Sequence, residues 1–385
     1  MAFALTAVIV YLLPVNAPVA LANDYPLVWQ ADEEKWLRDP NIFGTDAGTY
    51  IMTGTQSHVL EYQSLEAGSF EDDDGAPNLV RLFSPNGKRK LRADGFWEWE
   101  KKFFQSANGL IMIASLPSVD DFDTDLRKTA GRRSTYVFVQ LKHGRTTASG
   151  FPLDWKLRSN DPLLMDIYNG SIFDADEDGL FMYADVRNDK TLNTTCIRVQ
   201  GMSRSLDLKK PRFLLCPGQK VERDTDKSGW DRNTPFPSEV RFEDGGGLLE
   251  GAWAWKSPND KYYIFYSSGD YEDTDLYGGF IAVCKNPNGM CRKIMRDDKN
   301  DVRFFVKGSS KNYERIGRAF PVVNKNDELV DIIFHARPRG EKADDILRCT
   351  NFHPKLIEEF TKGGPGCEFD DVVYDDDGTP NSGTD

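Results

Sequence analysis

The sequence predicts an all-β protein, a five-bladed β-propeller, on three observations. Apolar residues at helical spacing are scarce, with one short stretch near 355–361. Short strands of alternating or continuous apolar residues recur, bounded by Gly, Asn and Asp turns. Five of these strands follow the same kind of turn, at intervals of roughly 60 to 80 residues.

The five hairpins read in order. Thr45-Asp46-Ala47-Gly48 leads into Thr49–Met52, and Ser106-Ala107-Asn108-Gly109 into Leu110–Ile113. Asp176-Glu177-Asp178-Gly179 leads into Leu180–Tyr183, and Pro258-Asn259-Asp260 into Lys261–Tyr266. Asn324-Lys325-Asn326-Asp327 leads into Leu329–Phe334. Such turns supply the left-handed residues that tight hairpins need. A single four-stranded sheet cannot bury both faces, so units repeated at this interval pack around an axis. A β-sandwich would explain the strands but not the long, even period.

Length and composition set the outer limits. The 385 residues are 39% apolar and 12% aromatic, enough for one large core. Sixty-one acids against 48 bases give a net charge of −13, which excludes nucleic acid as the main partner. Residues 1–22 carry no charged side chain and end in Ala20-Leu21-Ala22, the pattern of a signal peptide cut near Ala22–Asn23. An uncleaved anchor is the competing reading, which Pro14 and Pro18 oppose. The expected domains are therefore 1–22 signal peptide, 23–368 propeller of catalytic type, and 369–385 an acidic disordered tail. The mature chain is expected to be secreted, monomeric and free of the membrane.

Six cysteines follow the leader, and sequence neighbours pair as Cys196–Cys216, Cys284–Cys291 and Cys349–Cys367. Six cysteines allow fifteen connectivities, so proximity alone selects this one. No CxxC pair exists and there are four His, which argues against a zinc site. Asn193-Thr194-Thr195 is a glycosylation sequon, and Asn169-Gly170-Ser171 fits the same pattern.

The first strand of a blade lies nearest the axis, so chemistry is sought just upstream of each hairpin. Arg38-Asp39-Pro40 precedes the first; read alone, an Asp before Pro is a turn. Trp97-Glu98-Trp99-Glu100 precedes the second, where Trp97 and Trp99 suit stacking on a sugar ring or ordinary blade packing. Tyr168-Asn169-Gly170-Ser171 precedes the third. Leu249-Glu250-Gly251-Ala252-Trp253 precedes the fourth, placing an acid inside an apolar run. Burial there would suit a general acid, and a structural ion pair is the plainer alternative. Gly317-Arg318-Ala319 precedes the fifth.

Taken in order, these motifs resemble glycoside hydrolase family 43 and its five-bladed relatives. Arg38-Asp39-Pro40 is similar to the blade-one motif whose Asp is the general base. Glu250-Gly251-Ala252 is similar to the general-acid motif Glu-Gly-Pro. Trp97-Glu98-Trp99-Glu100 looks like a weakened Trp-Ala-Pro-Glu, and Phe334-His335-Ala336 like Tyr-His-Ala. The resemblance spans roughly residues 36–350, and it rests on the order of the four motifs rather than on any one of them. It implies an inverting hydrolase of arabinose-, xylose- or galactose-containing oligosaccharides or polysaccharides. Asp39 would be the base and Glu250 the acid, in the same place in blades one and four. Trp97, Trp99, Trp253, Tyr168, Arg318 and His335 would contact sugar.

Two departures stand out. Asn169 occupies the position of the Asp that modulates the acid. Arg318 occupies the position of an axial His that helps hold a central metal ion. No cofactor is therefore expected, and a central calcium becomes doubtful. The alternative reading is a carbohydrate-binding pseudoenzyme, favoured by Asn169 and Arg318; retention of Asp39 and Glu250 favours the enzyme.

Overall fold

The computed structural model describes residues 27–29, 38–45, 48–55, 58–63, 65, 78–88, 91, 99–106, 108–117, 133–189, 194–218, 236, 239, 247–271, 277–296, 301–324, 326–369, 373–374 and 380–381. They form a five-bladed β-propeller. Blade one runs Arg38–Gly44, Tyr50–Thr55, His58–Tyr62 and Asn78–Leu79. Blade two runs Trp99–Ser106, Gly109–Pro117, Arg133–Gln140 and Asp154–Leu157, with Arg81–Phe83 added in parallel at its outer edge. Blade three runs Ile167–Asp174, Leu180–Asp189, Thr194–Met202 and Arg212–Leu215. Blade four runs Leu249–Lys256, Tyr262–Ser268, Gly278–Asn286 and Gly289–Lys293. Blade five takes Tyr313–Val323, Leu329–Pro338 and Asp345–Arg348 from one end of the chain and Leu27–Trp29 from the other. The α-helix Leu356–Phe360 falls where the sequence shows its short helical stretch.

The five expected hairpin turns carry left-handed residues. Gly48, Gly109, Asp176, Asp260 and Asp327 all have positive φ. Each turn thereby matches the strand twist it must join.

The apolar runs in the second strands have a simple cause. Alternate residues face opposite neighbours, and both faces are buried. Ile111 and Ile113 pack toward blade three, while Met112, Ala114 and Leu116 pack toward blade one. Met182 and Ala184 face blade two, whereas Phe181 and Tyr183 face blade four. Ile332 and Phe334 face blade four, whereas Ile333 faces blade one. One apolar cluster fills each junction between adjoining blades, so the ring is closed by hydrophobic contact all the way round. Burying one such Phe, Leu or Ile stabilises the ring by about 1.5–3 kcal/mol.

The three disulfides join the pairs that lie close in sequence: Cys196–Cys216, Cys284–Cys291 and Cys349–Cys367. Cys284–Cys291 cross-links the third and fourth strands of blade four. Cys349–Cys367 ties the end of blade five to the segment after the helix. Among the described residues no helix is long and apolar enough to cross a membrane.

Several expectations fall outside the described residues: the leader 1–22, the sequon Asn193, and most of the tail. Within the tail, Phe369 packs its ring against Phe334 with centroids 5.4 Å apart. Val373–Tyr374 pair with Pro380–Asn381. The other sequon, Asn169, is 1% exposed and so closed to glycosylation in the folded protein.

Asp331 gives the fold a pH signature. It lies in the second strand of blade five, 8% exposed. Burial pushes its carboxyl up to about 6, against the opposing pull of Arg348. A raised carboxyl stabilises the fold fully below its unfolded pKa, and that stability is lost as pH rises through 6. Asp331→Asn is therefore expected to raise the unfolding free energy at pH 7 by about 2 kcal/mol, a gain that vanishes near pH 4. Denaturant unfolding at the two pH values checks it.

Candidate active site

The site begins with a bulge repeated in the first strand of every blade. The pairing skips between Arg38 and Asn41, Trp99 and Lys102, Tyr168 and Ser171, Glu250 and Trp253, and Gly317 and Phe320. The residues at the skip turn left-handed: Asp39 at φ 56°, Asn169 at 54°, Gly251 at 66° and Arg318 at 56°. Asp, Asn and Gly accept this conformation readily, but Arg does so at a cost of about 1–3 kcal/mol.

The bulge turns a backbone N–H away from its own ladder and toward the preceding blade. Asn169 N–H donates to Ser115 Oγ at 2.7 Å, Gly251 N–H to Asp185 Oδ2 at 2.7 Å, and Arg318 N–H to Ser267 Oγ at 2.7 Å. Asp39 N–H donates to His335 Nδ1 at 3.2 Å, which carries the pattern from blade five back to blade one. All four acceptors hold the same register on a second strand, opposite Trp99, Tyr168, Glu250 and Gly317. The same register corrects one expectation. Asp39 corresponds to Gly251, and Glu250 stands one residue earlier, opposite Ser267 as Arg38 stands opposite Thr55.

Asp39 and Glu250 nevertheless meet at one group, the Arg318 guanidinium. Its Nε lies 3.1 Å from Asp39 Oδ1, and its Nη2 lies 3.7 Å from Glu250 Oε2. A pocket beside the guanidinium, roughly 250 Å³ counting the open solvent at its mouth, is lined by Asp39, Pro40, Asn41, Lys102, Gly251, Trp253, Arg318, Ala319 and Phe320. Trp253 packs on Phe320 with ring centroids 4.7 Å apart, and Lys102 Nζ lies 5.2 Å from the Trp253 ring centre.

Asp39 is held tightly. Thr55 Oγ1 donates to its Oδ2 at 2.6 Å. Burial opposes ionisation, yet Arg318 above all, with His335 and Arg38, holds the carboxyl well below the usual range. Asp39 is thus a carboxylate at any working pH. Glu250 accepts a hydrogen bond from Tyr277 Oη at 3.2 Å. Close packing enforces the arrangement: a Cβ on Gly251 would sit 1.0 Å from Arg318 Nη1.

The other expected residues lie at varying distances from this centre. Asn169 sits behind the pocket and donates through Nδ2 to Asp185 Oδ2 at 2.8 Å. His335 is fully buried, where it meets Asp39 and the rings of Tyr271 and Tyr277 rather than the pocket. Tyr168 turns its hydroxyl to Thr195 at 3.4 Å, outside the pocket lining. Trp97 lies outside the described residues, and Trp99 is placed as a strand residue. Two residues escaped the sequence reading. Asp185, fully buried, holds both Asn169 and the Gly251 backbone; an acid inside the apolar run Leu180–Val186 was its signal. Tyr277 left no signal, because its partner Glu250 is distant in sequence.

The axial position does not fit calcium. That ion takes six to eight oxygens, whereas a guanidinium stands here between the two pocket carboxylates. Among the described residues no group of three or more His, Cys, Asp or Glu is placed to hold a metal.

No protein-family model matches the chain, and no curated protein is similar to it. Solved structures are similar in fold at low identity. A thermostable family-43 glycoside hydrolase superposes with a TM-score of 0.54 at 17% identity, over 81% of this chain and 89% of its own. An α-L-arabinofuranosidase from Lactobacillus brevis superposes with a TM-score of 0.54 at 13% identity, over 90% and 94% of the two chains. An endo-1,4-β-xylanase from Bacteroides thetaiotaomicron gives 0.50 at 15% identity, again over 90% and 94%. The five-bladed architecture is shared with these glycoside hydrolases.

The packing of Gly251 against Arg318 can be measured. Gly251→Ala is expected to destabilise by about 2 kcal/mol or more, from strained φ and overpacking. In an Arg318→Ala background the cost should shrink, because the clash is gone. Additive losses in the double-mutant cycle would mean that the two residues do not share the space.

Proposed function

We propose that the chain is a secreted glycoside hydrolase that cleaves arabinose-, xylose- or galactose-containing glycans with inversion. One observation carries the reading: Asp39 and Glu250, far apart in the chain, flank a single guanidinium that lines a pocket together with Asp39. Asp39, held ionised, would take a proton from water. Glu250 would give one to the leaving oxygen. Inversion places two such carboxyl groups roughly 6.5–9.5 Å apart, with water between them, and a gap wide enough for a guanidinium is of that order. Trp253 and Phe320 offer the apolar wall on which a sugar face stacks. The fold neighbours act on arabinosides and xylans by their descriptions, which supports the substrate class. Three disulfides fit an oxidising, extracellular setting.

A second reading is a carbohydrate-binding pseudoenzyme. The observation behind it is again Arg318. A cation between the carboxylates favours their charged forms, which suits binding better than proton donation.

A panel of arabinosides, xylosides and galactosides separates the two. On the substrate that is cleaved, Asp39→Asn and Glu250→Gln are each expected to lower kcat about 10²- to 10⁴-fold. Proton NMR of the first-formed product should show the inverted anomer. Activity unchanged in both variants would sink the mechanism. No turnover on any substrate, with glycan binding that survives both changes, would establish the pseudoenzyme.

A further inference from the structure

Tyr277 stands just before the third strand of blade four, its side chain buried and 1% exposed. Its ring is parallel to His335, at 10° with centroids 6.1 Å apart, and His335 in turn holds the Asp39 backbone. The seat is cut to fit, since a Cβ on Gly317 would come within 2.3 Å of Tyr277 Cε1.

We propose that Tyr277 is a positioning residue for Glu250, holding its carboxyl through a hydrogen bond from the buried phenol. The proposal rests on the reading of Glu250 as general acid. Tyr277 Oη donates to Glu250 Oε1, 3.2 Å away. Burial, then the charge of Glu250, keeps Tyr277 protonated, so it stays a donor.

The two oxygens of Glu250 have different neighbours: Oε1 accepts from Tyr277, and Oε2 faces the Arg318 guanidinium. Among the described residues, the ionisable groups around Glu250 include Arg318 from blade five, Tyr277 from its own blade, Asp39 and His335 beyond the guanidinium, and Asp185 behind Gly251.

The test compares two leaving groups, phenyl and 2,4-dinitrophenyl α-L-arabinofuranoside. Phenol needs a proton to leave, and dinitrophenol does not. Tyr277→Phe is expected to lower kcat about 10- to 100-fold on the phenyl glycoside while moving KM and the dinitrophenyl rate by less than about threefold. Equal losses on both glycosides, or none, would overturn the proposal. If neither glycoside is cleaved, the arabinoside reading falls while the Tyr277–Glu250 contact stays decidable by carbon NMR of the Glu250 carboxyl, assigned with Glu250→Gln. The contact predicts that this carboxyl titrates at higher pH in Tyr277→Phe; an unmoved titration sinks it.

Discussion

The centre of the molecule is organised by one buried cation. Arg318 is 7% exposed and lies between Asp39 and Glu250. Removing a guanidinium from water costs several kcal/mol unless anions and hydrogen bonds compensate. The surrounding structure reads as that compensation. Gly251 leaves room for the guanidinium, and Asp39 remains charged beside it. Arg318 itself is held in a left-handed backbone by the hydrogen bond from its N–H to Ser267. Loss of either carboxylate would leave the cation undercompensated, so charge balance at the centre couples blade one to blades four and five.

The bulges give that coupling a regular frame. Four bulge N–H groups reach across to the second strand of the blade before them. The acceptors differ in chemistry: Ser115, Asp185, Ser267 and His335. The backbone geometry repeats around the axis while the acceptors vary, and so does the character of the pocket wall. Where the acceptor is a carboxylate, it also fixes Asn169. Where it is an imidazole, it stands beside a pocket carboxylate. The repeated feature thus sets a position, and the side chain placed there sets a function.

Much of the fold was legible because each local signal had one physical reading. The turn residues before Leu110, Leu180 and Leu329 needed left-handed backbone, and the apolar runs after them needed two buried faces. The pairing Cys284–Cys291 follows from adjoining outer strands, and Cys196–Cys216 lies at the same place in blade three. Motif order alone singled out Asp39, Trp253 and Arg318, which line one pocket, and Glu250, which meets Arg318. Three things were not legible. A bulge register cannot be read from side-chain pattern, so Glu250 was aligned one residue off. The hydrogen bonds of Asp185 and Tyr277 join residues far apart in the chain, which periodicity does not report. Asn169 occupies a motif position yet works from behind the pocket, as partner of an acid on the neighbouring strand.

The last blade is assembled differently from the other four. Leu27–Trp29 supply its outer edge, paired with Asp345–Arg348 from the far end of the chain. Blades one to four each close on sequence-local contacts and can form as their segments emerge. Blade five cannot be completed until nearly the whole chain is present, and contacts of such long sequence separation form slowly. The cluster joining blades five and one closes the ring. Since Arg318 and His335 belong to blade five and Asp39 to blade one, the pocket comes into being only with that last closure. Topology therefore makes assembly of the ring and maturation of its centre a single event.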